Sequence, residues 1–488
     1  MADPCNRTAS GTCSTAFGFQ TRATGPASLA EGSNTLAQGS STHAEGFQTF
    51  ASGDASHTEG SNTVASNTAA HAEGYLSVAA GAAAHAEGLM SNAAGAGAHS
   101  EGIGAKALFN ASHAEGSNTF AMNLFAHAEG NQTIASGIAS HAEGENSSAS
   151  GTTAHAEGQG TSATGQSSHS QGEGTQASGR ASHAEGFQTS ASGIYAHAEG
   201  QLSIASGDLS HTEGNQTVAS GQNAHAEGAL NTASGFTSHA EGVNTVASGF
   251  FSHTEGQSTN ANLLEGVHVM GQFGSANELS YSWYLANGTD AGTPGLAAKI
   301  LSDGNVKIDG TVSSPAADYA EMFETATGQP ISPGYFVTLE EDKVRTAHDG
   351  DDYILGVTSA KPAFLSDSGE LRWKDKFVTD EWGVTLYETV IIPPVFDARG
   401  LIAVPERSVR RPVLNQAWDS ALEYMPRSRR EEWVAVGMLG KLLVRDNGAC
   451  LPNRYCRPDS RGMAMPSDNI GYRVLRRTGP NQILILFR

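Results

Sequence analysis

Two groups of residues in this 488-residue chain have the type and spacing to do chemistry. One is a pair of carboxylates, Asp318 and Glu321, within Ala317-Asp318-Tyr319-Ala320-Glu321-Met322-Phe323-Glu324. Paired carboxylates can hydrolyse a peptide without a metal or a strong nucleophile. One ionised group activates a water, and the other, protonated, donates to the leaving amine. Residues three apart share a face if the segment is helical or turned. On spacing alone, the alternative is two solvated acids at a domain entrance. No Ser-His-Asp arrangement competes, because His348 is the only histidine after His268. His348 is expected in an exposed loop.

The second group is periodic. From His43 to His253 a histidine recurs every fourteen residues, usually in the phrase His-Ala-Glu-Gly, and these sixteen make up most of the eighteen histidines. Glu follows two residues later in fifteen copies, and Gln171 is the exception. A bare ladder of carboxylates at strand spacing repels itself. Interleaved imidazoles relieve that repulsion by donating hydrogen bonds or taking up protons. A structural ladder at a subunit interface is the expectation, with a metal-binding stripe or a pH sensor as alternatives. No copy is marked as a closed site, so no metal site and no cofactor is expected.

The repeat also dictates the element that carries these columns. Each unit has two halves, as in Thr42-His43-Ala44-Glu45-Gly46 and Thr49-Phe50-Ala51-Ser52-Gly53. Both read small-x-Ala-x-Gly, a period-2 pattern that predicts a short strand. Ser or Thr, Ala and Gly are expected inside, with His and Glu outside. Two residues between halves suffice for a tight turn, so one unit is one coil of a flattened solenoid. A coil cannot bury its face alone and must stack. Eighteen coils at about 4.8 Å give a rod of roughly 85 Å. The larger apolar residues sit at variable, outward slots, among them Phe50, Val64, Val78, Phe120, Ile134 and Ile204. Burying them requires other chains, which predicts an obligate oligomer.

This fourteen-residue unit resembles the head repeats of trimeric bacterial adhesins of the YadA type. The resemblance covers about half the chain. It implies a left-handed parallel β-roll associated as a homotrimer, and an all-β chain overall. It does not by itself imply adhesion, since a roll can serve as a spacer.

Charge and cysteine usage narrow the function further. Net charge is −22, and residues 1–256 hold four basic against twenty-one acidic residues. That acidic surface argues against nucleic acid as a partner. Cys5 and Cys13 lie in a polar tail, where they are either free thiols or cross-links at the fibre base. Cys450 and Cys456 flank a turn where a disulfide is an option. No apolar segment follows Met1 and no stretch is long enough to span a membrane. The chain is therefore expected to be made in the cytoplasm without a signal peptide, with no membrane insertion. This departs from true trimeric adhesins and suits a fibre on a virion or spore surface.

The remaining organisation is a tail at 1–14, the roll at 15–256, a β neck at 257–317 and a mainly β C-terminal domain at 318–488. Lys299-Ile300-Leu301 and Val306-Lys307-Ile308 flank a Ser-Asp-Gly-Asn turn, a hairpin signal. The Asp-Tyr-Ala-Glu-Met-Phe-Glu motif resembles the start of the self-cleaving intramolecular chaperone domain of phage neck-appendage and tailspike proteins. The resemblance continues in Tyr424-Met425-Pro426-Arg427, Glu432-Trp433-Val434-Ala435-Val436-Gly437 and Gly471-Tyr472-Arg473-Val474-Leu475. It implies a domain that helps three chains assemble and then cuts itself off between Ala317 and Asp318, with Asp318 and Glu321 as catalytic carboxylates. Met322 replaces the aromatic of the commoner form and leaves both acids in place. The implied protein is a homotrimeric structural fibre performing single-turnover autoproteolysis, with no external substrate. The alternatives are an adhesin whose roll binds a host-surface or glycan receptor behind an uncleaved cap and, ranked last, a polysaccharide-degrading spike.

Overall fold

The structure, a computed structural model, describes residues 5–369, 375–396, 400 and 402–488. Among them there is no α-helix, only a 3₁₀ turn at Arg427–Arg429, so the chain is all-β as expected. No helix among the described residues is long and apolar enough to cross a membrane. The chain divides into two compact units, Met1–Thr311 and Val312–Arg488.

The first unit is a parallel solenoid. In one coil His43–Phe47 and Phe50–Ala51 form the two strands, and each pairs with its counterpart one coil on. His43 sits opposite His57, and Phe50 opposite Val64. The inner face is as small as the sequence requires: Ala44, Ala51, Ala128 and Ala142 have no exposed surface, and Thr42 and Thr49 are buried beside them. The two glycines of the repeat differ. Gly53 is buried, but Gly46 is exposed, at a corner rather than inside as the alternation implied. Its φ of +106° turns the chain, and a Cβ there would stand 2.0 Å from the Gly60 carbonyl oxygen. Most of the turns that close the coils hold a non-glycine residue in the left-handed region, such as Gln48 and Ala55. That conformation costs roughly 1–2 kcal/mol per residue, which the repeated ladder hydrogen bonds must offset.

The parallel ladder begins with Thr8–Ala9 against Arg22–Ala23. It runs past Gly256 through Gln257–Asn260, His268–Ser275 and Trp283–Asn287. There the coils lengthen to fifteen residues, placing His268 on His253 and Trp283 on His268. The longer coils carry a fuller core of Val267, Val269, Tyr284 and Leu301. The stack ends in antiparallel strands Leu296–Ile300 and Val306–Ile308, the hairpin signalled by the Ser-Asp-Gly-Asn turn.

The second unit is built on the thirteen-residue strand Trp433–Arg445. Its first half pairs with Asp318–Glu324 and Gly356–Thr358, and its second half with Gln482–Phe487. Phe336–Glu340 and Lys343–Thr346 extend one side of the sheet, and Tyr472–Gly479, Tyr455–Pro458 and Ala464–Ser467 the other. Phe336, Val357, Leu442, Val444, Ile483 and Ile485 fill the core. Tyr472 stacks between Phe336 at 5.2 Å and Phe487 at 4.5 Å. Burial holds its phenol up at a pKa of about 12.

Candidate functional site

The motif that opens the second unit is a strand, Asp318–Glu324, not a helix or turn. Strand side chains alternate, so residues three apart point to opposite faces. Asp318, Ala320 and Met322 are buried, whereas Tyr319, Glu321 and Phe323 lie on the half-buried face. Within one chain, therefore, the two carboxylates do not form a shared site. The condition under which they would share a face is not met. The Asp318 carboxylate accepts a hydrogen bond of 2.6 Å from Ser359 Oγ. Glu321 accepts one of 2.6 Å from the Tyr319 hydroxyl, its neighbour on the same face.

The backbone around Ala317–Asp318 is gripped from several sides. The Ala317 carbonyl accepts from the Lys441 N–H at 3.3 Å, and the Asp318 carbonyl from the Ala363 N–H at 2.8 Å. The ladder between Asp318–Glu324 and Trp433–Arg445 slips register between Tyr319 and Ala320, one residue from that peptide. Such irregularities recur beside active sites because they re-aim local groups. Two glycines make the geometry fit. Gly440 has φ +112°, and a Cβ there would lie 2.1 Å from the Ala317 oxygen. A Cβ on Gly437 would stand 3.2 Å from Asp318 Oδ2. An open groove of about 820 Å³ runs along this peptide, lined by Ala317, Asp318 and Ser359 with the cationic Lys361, Lys441 and Arg445. Ser359 was not singled out by the sequence. It lies 41 residues from Asp318 and outside any motif.

The histidine column is continuous. Seventeen rings from His43 to His268 stack at 4.5–4.9 Å, with interplanar angles of 1–17°. Trp283 meets the last ring edge-on at 5.1 Å. Glutamates follow the column, with His43 Nε2 to Glu45 Oε2 at 3.3 Å and His127 Nε2 to Glu129 Oε2 at 3.5 Å. Burial first, then the neighbouring imidazole, pushes His113, His127 and His141 below the usual 6.5.

His348 is exposed as expected and lies 3.1 Å from Asp351 Oδ1. Cys450 and Cys456 are fully buried free thiols. Contact with Cys450, and then burial, pushes the Cys456 thiol up. The Arg477 guanidinium clamps the buried Asp446 beside them at 2.6 and 3.1 Å.

A repeat solenoid followed in the chain by a separate β domain, whose own entry peptide lies in a groove, defines the class: a parallel β-roll protein with an appended β domain. Residues 278–482 match the Peptidase_G2, IMC autoproteolytic cleavage domain. Residues 9–35, 128–154, 142–168, 198–224 and 232–252 match the YadA head domain repeat. The chain thus combines YadA-type head repeats with an autoproteolytic-type domain. The phage-related protein YobO of Bacillus subtilis (strain 168) is 39% identical over 144 residues, 29% of this chain and 16% of that protein. The pre-neck appendage protein of Bacillus phage B103 is 33% identical over 160 residues, 32% and 17% of the two chains. That of Bacillus phage phi29 is 35% identical over 147 residues, 29% and 16%. The matched stretch spans about a sixth of each of these relatives. Among solved structures, the C-terminal fragment of bacteriophage phi29 gene product 12 is 31% identical with a TM-score of 0.29, covering 35% of this chain and all of that one. The pre-mature form of the same gene product is 17% identical with a TM-score of 0.39, covering 97% and 55%.

Proposed function

We propose that this chain is a structural appendage protein of a phage particle, assembled as a homotrimer. Its domain from Asp318 to Arg488 guides assembly and then severs the Ala317–Asp318 bond. The observation that carries the proposal is the held peptide. A buried carboxylate, fixed by Ser359, adjoins a peptide whose carbonyl already accepts an N–H from Lys441. All of this lies inside the stretch that matches an autoproteolytic domain. Hydrolysis adds a water oxygen to the Ala317 carbonyl carbon and delivers a proton to the Asp318 nitrogen as the bond breaks. The Lys441 N–H would stabilise the oxyanion that forms. The chain supplies its own substrate in register, so one turnover needs no separate binding site.

Because Glu321 faces away from Asp318 within a chain, the second carboxylate comes from a neighbouring copy. Cleavage then reports correct assembly. Outward residues of the roll favour association as well: Ile134, Ile204 and Phe47 are exposed on its surface. Co-expression of Asp318→Asn and Glu321→Gln chains tests this. Mixed trimers should cut the Glu321→Gln chain alone, since its Asp318 is intact and its neighbour supplies Glu321. An uncut mixture, under conditions where the wild-type chain cuts, would overturn cross-chain catalysis.

A further inference from the structure

We propose that the histidine–glutamate column of the roll binds divalent transition-metal ions, with zinc as the type case, at about one ion per two coils. The column supplies donor sets at nine places along the roll. Five of them are two successive histidines with the intervening glutamate, such as His43-Glu45-His57 and His141-Glu143-His155, whose ligand atoms lie within 4.8 Å of one another. Imidazole nitrogen with carboxylate oxygen suits zinc, nickel or copper rather than magnesium or calcium.

Fifteen of the seventeen stacked rings have an Nε2 shielded from solvent that makes no hydrogen bond within the chain. Only His239 and His253 find one, to Glu227 and Glu241 at 3.3 and 3.2 Å. For ten of the other fifteen a carboxylate stands at 3.3–4.0 Å, too far or too far off line to bond. A buried polar atom without a partner calls for a physical explanation, and a bound ion is one. A ladder of fifteen such atoms, ten of them within 4.0 Å of a carboxylate, repeats that demand along the roll.

The geometry needs little movement. Tetrahedral zinc holds nitrogen and oxygen donors at 2.0–2.2 Å, which sets them about 3.3 Å apart. Glu45 Oε2 already stands 3.3 Å from His43 Nε2. The facing rings, His43 and His57, are 4.8 Å apart and must lean together by about 1.5 Å at their tips to reach that separation. A ring that leans toward one neighbour leans away from the other, so ions can occupy only alternate gaps. This sets the stoichiometry below that of independent surface imidazoles. Gln171 weakens one gap by replacing the carboxylate with a neutral amide. Imidazole binds metal only when neutral.

The test is calorimetric titration of the intact chain with zinc chloride at pH 7.5, with magnesium chloride as the control. Saturation is expected near eight ions per chain, about one per two stacked rings, with no heat from magnesium. The Glu129→Gln/Glu143→Gln/Glu157→Gln chain keeps the ring stack, and its affinity in those coils should fall roughly tenfold. Cobalt uptake gives a reading that does not depend on those variants: tetrahedral sites show strong visible absorption, and zinc should displace it. No zinc uptake by the folded chain would overturn the proposal. So would one ion per histidine unaffected by the glutamate changes, or weak octahedral cobalt spectra, each of which would leave the column a purely structural stack.

Discussion

Between Ala23 and Ala247 the side chains with essentially no exposure are Ala, Ser, Thr and Asn231; in the C-terminal unit they include Phe336, Val357, Ile483 and Ile485. The roll has almost no apolar volume to bury, so it relies on the repeated backbone ladder and on stacked side chains one coil apart. Each coil contacts only its neighbours, and its stability is close to a sum of identical local terms. The C-terminal unit instead depends on distant pairings, such as Tyr319 with Leu439 and Gly440 with Phe487. Damage should therefore spread differently in the two regions.

The sharpest way to break this contrast is to alter the buried volume in each. Ile485→Ala should cost the C-terminal unit about 2–5 kcal/mol, the usual range for emptying a core isoleucine. Denaturant melts should show that unit alone unfolding earlier. Ala142→Leu forces a large side chain between the two ladders of the roll and should cost about 1–3 kcal/mol or more. Hydrogen exchange should show the loss confined to coils flanking residue 142. Protection lost throughout the roll would contradict nearest-neighbour stability.

A smaller effect separates the two regions by pH. His113, His127 and His141 titrate below 6.5 in the folded roll, so the unfolded chain binds more protons in that window. Roll stability should fall as pH drops below 6.5 and level off once the folded histidines are also protonated. In the C-terminal unit, the Arg345 guanidinium hydrogen-bonded to Asp351 holds that carboxyl below its ordinary 3.8. The stability it contributes is present above 3.8 and is lost only as pH falls below it. Melting near pH 5 should weaken the roll and spare the domain. The smallest effect belongs to the half-exposed Lys343–Glu324 pair at 2.7 Å. Lys343→Ala should change stability by less than about 1 kcal/mol.

The same contrast decided what the sequence could reveal. A fourteen-residue period announces the roll, its small inner face and its outer His and Glu columns. His268 escaped that pattern because the coil before it carries one extra residue, yet the ladder absorbs the insertion and keeps the ring in the stack. In the C-terminal unit the motif was visible and its geometry was not. Asp318, Ala320 and Met322 alternating with Tyr319, Glu321 and Phe323 is itself a strand signal, and it separates the two acids. Ser359 and Lys441 reach the Ala317–Asp318 peptide only through long-range pairing, which no local spacing encodes.

The most direct measurement is the intact mass of the purified full-length product beside Asp318→Asn and Glu321→Gln. Self-cleavage in the assembled fibre predicts two wild-type fragments, one ending at Ala317 and one beginning at Asp318, with both variants remaining whole. A single uncut wild-type chain, or fragments that persist in both variants, would contradict it.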